Sequence, residues 1–176
     1  MTEPLFFDTD CLSAFLWIKN HSILALLYAG KIVIPTEVYN ELSYSKTPQL
    51  KSRIDDMVKI GAARIEPIRV GTDEYNLYRK MVRIPDQDHI AIGKGEAAAI
   101  AMANYRNGIL ASNNTTDIAQ YISELNLKHL TTGDILKEAL DRGIITEDEG
   151  NDLWHDMLDK GRWLVYPTFS DFLKHC

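Results

Sequence analysis

"PLFFDTDCLSAFL", residues 4–16, carries three apolar residues, Leu5, Phe6 and Phe7, straight into two acids, Asp8 and Asp10, after which Cys11, Leu12 and Phe15 resume the apolar pattern. A short apolar run followed at once by helical periodicity reads as a buried strand feeding a helix. In an open α/β sheet the carboxyl end of such a strand is where ligands gather. An acid at that edge is either a helix cap or part of a site. Asp10 is the better placed of the two to cap a helix beginning near Cys11, which leaves Asp8 for the site.

The alternation continues along the chain. Strand-like runs at 32–34 (IVI), 109–111 (ILA) and 127–130 (LKHL) are separated by segments of helical periodicity, an order that predicts an α/β domain with a mainly parallel sheet. Thr36 before "EVYNEL", Thr72 before "DEYNLYRKMV" and the Thr146/Glu149 pair mark helix starts, the last with the spacing of a capping box. Gly30, Gly61, Gly108, Gly143 and Gly161 fall where helices should stop. Residues 83–95, "RIPDQDHIAIGKG", read as a loop or short turn. From about residue 131 the pattern is helical. We expect one domain over 1–176, with a core of about 1–131 and a helical C-terminal extension, 132–176, packed on the sheet.

Length and composition fit a soluble globular chain: 176 residues, 45% apolar and 25% charged, enough to bury a core without staples. Cys11 and Cys176 make a poor disulfide framework, so a reducing cytoplasm is the expected location. No run of about 18 apolar residues suggests a membrane span, and Glu3 stands where a signal peptide carries positive charge. A net charge of -6 argues against a nucleic-acid binder, unless acids are gathered on divalent cations, which reverse the local field. His21, His89, His129, His155 and His175 are scattered without HExxH spacing or cysteine partners, which excludes the usual zinc patterns. His89 beside Asp86 and Asp88 reads as a surface loop triad.

Four acids recur at strand ends and helix starts. Asp8 ends the first strand. Glu37 and Glu41 share one face of the helix after the second; Glu37 suits the helix dipole, whereas Glu41 lies a turn deeper. Glu96 opens the helix of "GKGEAAAIAMANYRNG", whose small residues let it lie close against a sheet; the lead-in lacks the Gly-Lys-Ser/Thr ending of a P-loop. Asp117 follows the strand of "GILASNNTTDIAQYI", in the first turn or two of a helix capped by Asn113 or Asn114. Each acid alone has a plain structural account. Together they belong on one edge of one sheet, where unneutralised carboxylates would raise one another's pKa. Hard oxygen-loving cations such as Mg²⁺ or Mn²⁺ resolve that repulsion and suit phosphate-ester chemistry.

At these residues the sequence resembles the PIN domain, the nuclease fold of VapC-type toxins. "LFFDTDCLSAFL" is similar to the family's opening strand, "IVIPTEVYNEL" to its next motif, "GKGEAAAIAMA" to its GEA helix and "ILASNNTTDI" to its strand-Asn-x-x-Asp motif. The resemblance covers roughly the first 130 residues in order and implies a PIN-like α/β/α sandwich. It further implies a metal-dependent endoribonuclease, often a homodimer and often held inactive by an antitoxin. Asp8, Glu41, Glu96 and Asp117 would be the catalytic acids holding one or two Mg²⁺ or Mn²⁺ ions, with Thr9 and Asn114 orienting them. Asn113 and Asn114 depart from the pattern where many members carry another acid. RNA contacts are not assignable; Lys46, Lys51 and Arg53, or Arg79, Lys80 and Arg83, are the basic groups available.

Two rival functions compete. "FFDTDCL" also resembles the Asp-x-Asp motif of haloacid-dehalogenase-type phosphatases, with Asp8 as nucleophile and Asp10 as acid/base; Ser112 and "GDILKE" loosely follow its later motifs, but Leu12 breaks the first. The other rival is a catalytically silent PIN-like module that binds RNA or a partner protein.

Overall fold

The computed structural model describes residues 3–44, 46–83 and 91–176. In chain order the elements are β1 (Leu5–Phe7), α1 (Thr9–Trp17), α2 (Ser22–Tyr28), β2 (Ile32–Pro35), α3 (Thr36–Leu42), α4 (Pro48–Lys59), β3 (Ala63–Glu66) and α5 (Asp73–Arg83). They continue with α6 (Lys94–Tyr105), β4 (Ile109–Ala111), α7 (Ala119–Glu124), β5 (Lys128–Leu130), α8 (Thr132–Asp141), α9 (Glu147–Asp159) and α10 (Phe169–Leu173). The five strands form one sheet in the order β3-β2-β1-β4-β5, every pair parallel.

Strand periodicity sorts the core into two layers. Leu5 and Phe7, with Ile32, Ile34, Ile109 and Ala111, face one side and pack under α1, α2, α3 and α4 and under Ile135, Leu136, Trp154, Met157 and Phe169 of α8, α9 and α10. Phe6, Val33 and Leu110 face the other side, under α5, α6 and α7. The result is the expected α/β/α sandwich, and the helices after residue 131 complete one of its layers. The alanines of α6 are all fully buried or nearly so. Gly108, where α6 turns into the interior strand β4, lies close against β1, so that a Cβ there would collide with the Phe6 ring.

Several sequence expectations need correction. β3 was not anticipated: "ARIE" alternates apolar with charged residues and forms the sheet edge beside β2, with Ala63 buried and Arg64 exposed. Gly108 is not a left-handed helix stop; Asn107 takes the positive φ of 49° instead, whereas Gly30, Gly61, Gly143 and Gly161 do adopt it. Thr36 does not cap α3, because β2 runs through Pro35 and the helix starts at Thr36 itself. Thr72 does accept the Tyr75 N–H at 3.2 Å, and Thr146 with Glu149 forms the full capping box. Within the expected loop at 83–95, Arg83 ends α5, residues 84–90, including Asp86, Asp88 and His89, lie outside the described residues, and Lys94 already belongs to α6. Cys11 is buried and Cys176 exposed, both as free thiols. Among the described residues no helix is long and apolar enough to cross a membrane.

Candidate active site

The carboxyl ends of β1 and β4 are stitched together by the Asp8 N–H, which donates to the Ala111 carbonyl at 3.0 Å. Asp8 is the N-cap of α1, its Oδ1 accepting the Cys11 N–H at 2.7 Å. The capping role expected of Asp10 therefore belongs to Asp8, because α1 starts at Thr9, two residues before the expected start near Cys11. Asp8 is 2% exposed. Burial pushes its carboxyl from the ordinary 3.8 up to about 7, against hydrogen bonds from Ser112 and the Cys11 amide, with Glu96 and Asp10 adding repulsion.

Glu96 stands in the first turn of α6, where burial also raises its pKa. A hydrogen bond from Asn114 opposes that rise, and the neighbouring Asp117 and Asp10 reinforce it. Asn114 is the hinge of the group: its amide donates to Glu96 Oε1 at 2.9 Å and to Asp117 Oδ2 at 3.0 Å, while its Oδ1 accepts the Asp117 N–H at 3.1 Å. Asp117 is thereby held in a turn ahead of α7 rather than inside a helix, and α7 has no side-chain cap from Asn113 or Asn114. Glu41 comes from the last turn of α3. Its Oε2 accepts from the Thr9 hydroxyl, and its Oε1 accepts the Gly95 N–H at 2.9 Å.

All six residues singled out from the sequence line one cleft of about 540 Å³: Asp8, Thr9, Glu41, Glu96, Asn114 and Asp117. Asp10, first read as a cap, joins them; burial raises its carboxyl while Arg162, 3.3 Å away, opposes the rise. Sequence reasoning also missed Trp163 and Val165, which bring the C-terminal extension into the cleft wall. The available signal was their alternation with Leu164 and Tyr166 after the helix-stopping Gly161. The proposed basic groups lie elsewhere: Arg53 donates to the Leu16 carbonyl, Lys51 pairs with Asp55, and Arg79 covers the Tyr75 ring.

The donors in the cleft are oxygens alone, and among the described residues lining it there is no histidine or cysteine. Oxygen donors that include the Asp8, Asp10 and Glu96 carboxyls, whose pKa values are raised chiefly by burial, fit a hard divalent cation. Among the described residues, no three acidic, imidazole or thiol groups are arranged to hold one ion. That is compatible with the habit of Mg²⁺ of taking one or two carboxylates and keeping waters for the rest of its shell.

A family model described as a PIN domain matches residues 5–176. The chain belongs to the PIN domain family. Among solved structures, it is similar to a chain in the crystal structure of VapBC2 from Rickettsia felis bound to a DNA fragment from their promoter, at 18% identity and a TM-score of 0.47, covering 72% of this chain and 97% of that one. No curated protein matches. The phosphatase reading also meets local obstacles in this PIN chain. Ser112 is fully buried, and Asp134 is committed to the capping box with Thr131 that opens α8.

Proposed function

We propose that this PIN-domain protein is a metal-dependent endoribonuclease that cleaves RNA phosphodiesters. The observation that carries the reading is the meeting of Glu96 and Asp117 on the single amide of Asn114, with Asp8 lining the same cleft and repelling Glu96. Asp8, Glu41, Glu96 and Asp117 would hold Mg²⁺ or Mn²⁺, as one or two ions. When bound, such an ion neutralises the carboxylates and polarises the phosphate it meets. Thr9 fixes the rotamer of Glu41, and Asn114 holds Glu96 and Asp117 in register. The Asp8 carboxyl is held by hydrogen bonds from the Cys11 amide and from Ser112, so its orientation costs little to hold during turnover.

The test is cleavage of single-stranded RNA by the purified protein with Mg²⁺ or Mn²⁺. Activity should vanish in a chelator and fall at least about 100-fold in Asp8→Asn and Glu96→Gln, the scale reached when even an orienting partner of a metal ligand is lost. An aryl phosphate should yield no phosphate. Full activity in Glu96→Gln refutes the assignment, and aryl-phosphate turnover requiring Asp10 restores the phosphatase reading. On the same reading the protein works as a cytoplasmic homodimer held by a cognate antitoxin, which co-purification with the product of the neighbouring reading frame checks. A second reading, a PIN module that binds RNA without cutting it, draws on Glu41 being already satisfied by Thr9 and Gly95. It calls for RNA binding without metal-dependent cleavage.

A further inference from the structure

The acidic cleft has a neighbour. A second pocket of about 270 Å³ opens beside it and shares Asn113, Thr115, Trp163 and Val165 with it. Its far wall is aromatic, made of Trp154, Tyr166 and Phe172. Three features of this place have no explanation in the fold.

The first is Trp163, 74% exposed. Along 162–166 the chain alternates: Leu164 and Tyr166 pack against the core, while Trp163 and Val165, at 74% and 65% exposure, face outward into the two pockets. The second is rigidity. Arg162 donates to Asp10 at 3.3 Å and to Ser13 at 3.0 Å, and the Tyr166 carbonyl accepts the Trp154 indole N–H at 2.9 Å. The segment is thus anchored on either side of Trp163, whose ring stands in water. The third is Asn113, 6% exposed. Its Oδ1 accepts the Thr132 N–H at 2.8 Å, which settles the amide's orientation. Its Nδ2 is buried with no partner. A buried donor left unmade costs about 1–3 kcal/mol, and the residue that carries it borders both pockets.

We propose that this pocket is a nucleobase subsite, in which an unpaired base of the RNA next to the scissile phosphate stacks on Trp163 and accepts a hydrogen bond from Asn113 Nδ2. The inference rests on the ribonuclease reading and deepens it. An unpaired base offers the two things the pocket lacks, a flat π-face for the ring and an in-plane acceptor for the amide. The cleft's shared wall joins the base's place to the place of its phosphate. Because Asn113 presents only a donor there, the subsite selects bases by an acceptor edge. Arg162, pinned on Asp10, then serves to position Trp163.

The experiment compares cleavage of short single-stranded RNAs by the wild type, Trp163→Ala, Trp163→Phe and Asn113→Ala, using oligonucleotides with an abasic residue placed at each position in turn. Loss of one stacking contact is expected to weaken substrate binding roughly 5- to 100-fold, raising KM more than it lowers kcat, with Phe recovering part of the loss. One abasic position should cost the wild type about as much and cost Trp163→Ala nothing further. Quenching of fluorescence by the intact RNA should be present in the wild type and missing in Trp163→Phe, although Trp17 and Trp154 remain. Metal-dependent cleavage with equal KM in wild type and Trp163→Ala overturns the subsite while leaving the nuclease reading standing, and gives the aromatic face to a protein partner. Quenching that requires Trp163 without any cleavage sustains the subsite and overturns the nuclease reading.

Discussion

In metal-free protein, Asp8→Asn should be more stable than the wild type at pH 8, and the advantage should shrink as the pH falls. Asp8 is fully buried, and its carboxyl is pushed from 3.8 to about 7. A raised folded-state pKa means that the folded chain holds a proton the unfolded chain has released. Asp8 therefore imposes no penalty below about pH 4, and an increasing one as the pH climbs toward 7. At 1.36 kcal/mol per pH unit, the full penalty is about 4 kcal/mol at pH 8 and about 2 kcal/mol at pH 5. Asparagine caps a helix as well as aspartate does, so the Cys11 N–H keeps an acceptor and the substitution isolates the charge. It also removes the repulsion that Asp8 and Glu96 exert on each other. Urea denaturation in a chelator at pH 5 and pH 8 measures both differences. A variant that is less stable than the wild type at pH 8, or equally displaced at both pH values, refutes the idea that burial penalises the ionised carboxyl.

Three further outcomes follow from the same geometry. Mn²⁺ or Mg²⁺ at 100 times its dissociation constant should stabilise the wild type by about 2.7 kcal/mol, with no effect on Asp8→Asn, read as a shift of the thermal midpoint at pH 8. Gly95→Ala would place a Cβ 2.7 Å from Glu41 Oε2 and closer still to the Thr9 hydroxyl; it should cost about 1–3 kcal/mol in chemical denaturation and displace Glu41 from the cleft. Arg106, outside the cleft, pairs with Glu66 and with Glu74, which is 8% exposed. Arg106→Ala should cost about 1.5–3 kcal/mol without changing metal binding, and Arg106→Lys should recover only part of it, since one ammonium cannot reproduce the fork to two carboxylates.

The central strands were legible because 5–7, 32–34 and 109–111 are apolar without interruption, as strands buried on both faces must be. The same logic hid β3, whose Arg64 and Glu66 belong to an edge strand and pair with each other across the exposed side. That Asp8, Glu41, Glu96 and Asp117 gather in one cleft was legible because a parallel sheet brings its strand ends to one rim, so position in the chain translated into position in space. Asn114 and Asp117 kept their expected neighbourhood although the helix they were assigned to begins later.

What the sequence could not reveal depends on single-residue offsets and on exposure. Whether Asp8 or Asp10 caps α1 turns on where α1 starts. The opposition between cap and site residue was itself too sharp: Asp8 gives one oxygen to the Cys11 N–H, and its carboxyl still meets Ser112 and the cleft. Capping fixes the side chain's direction, and burial supplies its unusual affinity for a proton. At Asn113, Oδ1 tethers the start of α8 while Nδ2 is left buried without a partner, so a residue that looked like a lost acid holds a donor at the border of both pockets.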